Sequence, residues 1–105
     1  MRSERPKQIE NLLETIRKLL EYDRVIITEH AAIRQKERRI SAADVLYVLK
    51  YGFHERQKTV FDPAHQAWKY AIRGKTADRV DLRVIVGIED KVVVITVIRI
   101  GGDEL

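Results

Sequence analysis

The chain has 105 residues, a length that suits one domain around one core. Apolar residues make up 45% of it and charged residues 34%, a globular balance that argues against disorder. The absence of cysteine excludes disulfides and thiolate chemistry, and a net charge of +4 permits a nucleic-acid partner without requiring one.

The N-terminal stretch MRSERPKQIE lacks the apolar run of a signal peptide, and the longest apolar run, Val92 to Ile98, is too short to span a bilayer. We therefore expect a cytoplasmic protein with no membrane partner. Residues 1–105 read as a single domain, helical over about 6–51 and a sheet over about 53–100.

The first helix is expected from about Pro6 to Glu21, where Ile9, Leu12, Leu13, Ile16, Leu19 and Leu20 recur as one apolar stripe and Pro6 suits the first turn. Val25 to Thr28 is short and β-branched, as an edge strand would be. A second helix follows over about Glu29 to Arg39, with Thr28 as its N-cap. Ser41 and Asp44 form a capping box for a third helix that buries Val45, Leu46, Val48 and Leu49, and Gly52 ends it as a left-handed cap.

Beyond Gly52 the apolar period shortens to two. Strands are expected at about Phe53 to Phe61, Gln66 to Arg73, Arg79 to Ile88 and Lys91 to Ile100, with turns at Asp62-Pro63-Ala64-His65, at 74–78 and at Glu89-Asp90. Short connections imply antiparallel pairing. The expected class is α+β: N-terminal helices packed on one face of a four-stranded twisted antiparallel sheet, the other face partly open.

Alternation assigns side chains to faces. Trp68, Tyr70 and Ile72 share one face, and Lys69, Ala71 and Arg73 the other; Val80, Leu82, Val84, Val86 and Ile88 oppose Asp81, Arg83 and Ile85. With registers aligned, Arg56, Lys58, Lys69, Arg73, Arg83 and Arg99 converge on the helix-free face as a phosphate-attracting surface. An ordinary solvated sheet face is the equal alternative. Trp68 and Tyr70 read as core aromatics rather than base-stacking platforms.

His30, His54 and His65 have no metal-site spacing, so neither a metal nor a cofactor is expected. His30 reads as a structural contact and His54 as a strand-edge residue. His65 follows a turn and is placed to move a proton at the open face, or is a plain turn residue.

The segment ITEHAAIRQKERRISAADVLYVLKYG, Ile27 to Gly52, resembles the start of a domain-of-unknown-function family of small bacterial proteins, through Thr28, His30, Ala31, Arg34, Arg38, Ile40, Ser41, Asp44, Val45, Val48 and Leu49. That family is similar in layout to RelE-like toxins, above all to mRNA interferases of the MqsR type, and Thr59 to Gly74 and Asp81 to Val97 resemble the sheet region of the latter. The resemblance implies a RelE-like toxin fold and a toxin of a type II toxin–antitoxin pair: a metal-independent endoribonuclease cutting mRNA, on or off the ribosome, with a cognate antitoxin as partner.

The functional positions implied by the likeness fall on Arg56, Lys69, Asp81 and Arg99, with Asp81 standing where the family has a tyrosine. We expect Arg56, His65, Lys69 and Arg83 to be catalytic, with His65 or Lys69 moving protons, and Lys58, Arg73 and Arg99 to bind RNA. The loss of the tyrosine motivates the alternative, a non-catalytic RNA-binding or protein-interaction module of the same fold.

Overall fold

The computed structural model describes residues 4–101. Three helices, α1 (Leu12–Glu21), α2 (Glu29–Glu37) and α3 (Ala42–Tyr51), accompany six strands: β1 (Val25–Ile27), β2 (Phe53–His54), β3 (Val60–Asp62), β4 (Ala67–Lys75), β5 (Asp81–Ile88) and β6 (Val92–Gly101). The architecture is α+β. Among the described residues no helix is long and apolar enough to cross a membrane.

The strand order is β1-β6-β5-β4-β2, with β3 also on β4. The sheet is mixed and six-stranded rather than antiparallel and four-stranded, for two reasons. The β-branched segment Val25–Ile27 pairs parallel with β6, Val25 opposite Val92. The single strand expected over 53–61 is interrupted by a 3₁₀ turn at Arg56–Lys58. Both fragments still pair with β4, Phe53 opposite Arg73 and Phe61 opposite Trp68. At the break the ladder continues by other means: Ala71 O accepts from the Glu55 N–H at 2.8 Å, and the Ala71 N–H donates to Thr59 Oγ1 at 3.1 Å.

The helices cover one face. Leu12, Ile16, Ala31, Val45, Val48 and Leu49 pack on Tyr70, Ile72, Leu82, Val84, Val86, Val92, Val94 and Val97. Each such buried aliphatic contributes about 1.5–3 kcal/mol relative to exposure. The expected face of β5 is the one observed, with Leu82, Val84 and Val86 buried.

Helix α1 begins at Leu12 rather than Pro6. The upstream backbone is committed elsewhere: Pro6 O accepts from Trp68 Nε1 at 2.7 Å, and the Ile9 N–H donates to the Tyr70 hydroxyl at 2.9 Å. The Ser41–Asp44 capping box is formed in both directions, at 3.0 Å each. Gly52 ends α3 in extended backbone, φ −81° and ψ −172°, not in the left-handed region. Its role is close approach: a Cβ there would stand 2.5 Å from Val48 O and 2.6 Å from Arg73 O.

One irregularity redirects a predicted residue. Ile85 lies opposite Thr96, but the next residue, Val86, lies opposite Val94, so Ile95 is an extra residue in β6. This bulge inverts the alternation downstream. Val97 and Arg99 therefore share the helix-covered face, opposite Val84 and Leu82.

Candidate functional site

The centre of the helix-free face holds Arg73 from β4, Arg83 and Asp81 from β5, and Glu55 from the break between β2 and β3. Arg73 and Arg83 are cross-strand neighbours. Arg83 grips Glu55 through two nitrogens, at 2.7 and 3.1 Å. Arg73 grips Asp81 through two, both at 2.8 Å, and reaches Glu55 at 2.9 Å. Glu55 is buried, its side chain 10% exposed. The Arg83 hydrogen bond first, and Arg73 after it, hold the Glu55 carboxyl below its usual range against the opposing pull of burial. Arg73 holds Asp81 down in the same way, and Asp81 first and Glu55 second push the Arg73 guanidinium further up. Two cations meet two carboxylates, so this network has no net charge to offer a phosphate.

At the far end of β4 the geometry is different. The β3–β4 turn brings Asp62, His65 and Lys69 together. His65 Nδ1 lies 2.8 Å from Asp62 Oδ2, and Lys69 Nζ lies 3.4 Å from the same oxygen. The Ala64 N–H donates to Asp62 Oδ1 at 3.0 Å, which fixes the carboxylate within the turn. Gln66, at φ 51°, closes the turn before β4. The His65 hydrogen bond, then Ala64 and Lys69, hold the Asp62 carboxyl below its usual range. Nδ1 faces the carboxylate, so Nε2 is the ring nitrogen turned away from Asp62. The His65 side chain is 80% exposed and Asp62 is 13% exposed, so the imidazole faces solvent over an anchored carboxylate. The three residues border a groove of about 320 Å³ whose other wall includes Gly87, Val93 and Ile95. Among the described residues no three His, Asp or Glu side chains come together in a way that would hold a metal ion.

The remaining predicted residues are not gathered here. Arg99 lies on the helix-covered face because of the bulge at Ile95, and donates to Arg38 O at 2.6 Å and Arg39 O at 3.3 Å, securing the end of α2. Arg56 and Lys58 ride on the exposed 3₁₀ turn rather than in a strand, so strand alternation does not set them on the sheet face. The convergence of six cations thus reduces to Lys69, Arg73 and Arg83, each of them ion-paired. Asp81 is one of the paired carboxylates. His30 is exposed in the first turn of α2. His54 faces the helix side, 2.9 Å from Thr59 Oγ1 and edge-on to Tyr70. Burial first and Arg56 second favour its neutral form.

Two carboxylates that organise the face, Glu55 and Asp62, are absent from the sequence-derived set. Asp62 had a local signal: in D-P-A-H the turn sets an acid and an imidazole three residues apart and facing. Glu55 had none, since its partners lie 18 and 28 residues downstream.

Residues 27–99 match the family described as "Domain of unknown function (DUF4258)". No curated protein and no solved structure matches the chain.

Proposed function

We propose that this chain, a member of the DUF4258 family, is an endoribonuclease, the toxin of a type II toxin–antitoxin pair with a RelE-like fold of the MqsR type. The observation that carries the reading is the Asp62–His65–Lys69 cluster at the edge of an open groove. Cleavage of RNA without a metal needs a base for the ribose 2′-hydroxyl, a cation for the phosphorane and a proton for the leaving oxygen. His65 Nε2 takes the 2′-hydroxyl proton while Asp62 steadies the imidazolium. The 2′-oxygen bonds to phosphorus and the bond to the 5′-oxygen breaks. Lys69 offsets the developing charge and gives a proton to the departing 5′-oxygen. The products are a 2′,3′-cyclic phosphate and a 5′-hydroxyl, with no other reactant consumed.

Arg83 and Arg73 take structural roles in this reading, locked by Glu55 and Asp81. That locking also favours a second reading, a non-catalytic RNA-binding or protein-interaction module. Induction of the wild type beside His65→Ala separates the two. The nuclease predicts growth arrest and rapid mRNA decay with the wild type only. Unchanged growth and intact mRNA with both leave the binding module.

A further inference from the structure

Trp68 contributes to two openings. One is the groove beside His65 and Lys69. The other, about 630 Å³, lies along the N-terminal segment and is lined by Arg5, Lys7, Glu10 and Arg56. Arg56 in turn lines a third opening of about 330 Å³ with His54 and Arg17. Trp68 thus borders the first two openings, and Arg56 the last two. The middle one carries three cations against one carboxylate. Lys7 and Arg56 are exposed, and within the described residues neither is ion-paired. They differ in this from the two arginines of the sheet centre.

The strip also has a stacking site. Phe61 and Trp68 meet edge to face with ring centres 5.3 Å apart, and the Arg5 guanidinium lies 5.0 Å from one ring centre and 5.8 Å from the other. Trp68 is only half-buried, so it is not the pure core aromatic its parity suggests. A planar cation on a ring face occupies the place an unpaired base would take.

We propose that single-stranded RNA flanking the scissile phosphate follows this strip, from His65 past Trp68 and along residues 5–10 to Arg56; the assignment rests on the ribonuclease reading above. A base replaces Arg5 on the Phe61–Trp68 rings, Arg5 turns to a phosphate, and Lys7 and Arg56 meet further phosphates. The net positive middle opening selects a polyanion, and the ring contact selects one whose bases are unpaired.

Trp68 is the only tryptophan in the chain, so its fluorescence reports on this strip alone. The full chain carrying His65→Ala is titrated with a mixed-sequence oligoribonucleotide of about 12 residues. The expected result is saturable quenching of Trp68 emission, about tenfold weaker binding after adding Lys7→Ala and Arg56→Ala, and a log–log salt slope lower by about 1.4. No RNA binding overturns the proposal, as does binding by anisotropy with Trp68 emission unchanged, or equal quenching by duplex RNA. The two readings fail separately. Quenching without cleavage by the wild type retains the path and removes the nuclease; cleavage with silent Trp68 does the reverse.

Discussion

On the helix-free face, Arg73 and Arg83 are matched one for one by Glu55 and Asp81, whereas at the end of the same strand Lys69 and His65 share the single carboxylate of Asp62. The first group is drawn from three separate strands or their junctions, is largely shielded from water, and has its guanidinium forks occupied. The second is built by one turn, is open to solvent, and keeps an imidazole nitrogen free. The contrast teaches that cations on a face are not the same as cations available to a ligand. Availability depends on whether carboxylates distant in sequence fold back onto them. Desolvated forks met in bidentate geometry serve cohesion; an exposed imidazole over an anchored carboxylate suits proton transfer.

That contrast can be broken most sharply at His65. His65→Ala is expected to lower RNA cleavage about a hundredfold or more, measured on purified protein, while the urea unfolding midpoint stays in place. The reverse pattern is expected at the centre. Glu55→Ala leaves two arginines facing each other in a shielded site, and urea denaturation should report a loss of about 2–4 kcal/mol, with cleavage by the folded fraction retained. Asp62→Asn should reduce cleavage about tenfold, because the imidazole keeps its place but loses its counter-charge.

Acid should separate the clusters as well. Glu55 and Asp81 have folded pKa values below their unfolded ones. Their stabilisation is therefore complete above the unfolded carboxylate pKa of about 4 and is lost as pH falls through the folded values. The thermal midpoint should hold from pH 7 to about 5 and then drop, and Glu55→Gln should flatten the drop. The smallest effect belongs to Arg34→Ala. Its 2.8 Å pair with Glu37 matches the central contacts in length but is exposed at 37% and 55%, and the unfolding midpoint should not move measurably.

The helices and strand faces were legible because each follows a local period. Ser41 and Asp44 announced the capping box, and Tyr70, Ile72, Leu82 and Val84 announced the buried side of the sheet. Three features were not legible, for three reasons. The bulge at Ile95 sits in an unbroken run of β-branched residues, so no residue type marks the inversion that moves Arg99 to the helix side. The break at Arg56–Lys58 depends on Thr59 lending its hydroxyl to a neighbouring strand, a contact across 12 residues. The parallel partner of Val25–Ile27 lies 67 positions further on, beyond any short-range signal. Within the candidate site, His65 and Lys69 were readable from turn and parity, while Asp62 was readable only as a turn former.

The most direct measurement is the chemistry of the cut end. Purified protein is incubated with end-labelled single-stranded RNA in chelator, alone and with translating ribosomes. The account predicts cleavage that leaves a 2′,3′-cyclic phosphate, is blocked by one 2′-deoxy substitution at the scissile residue, and is lost in His65→Ala. Intact RNA in both conditions, or equal cleavage by His65→Ala, would contradict it.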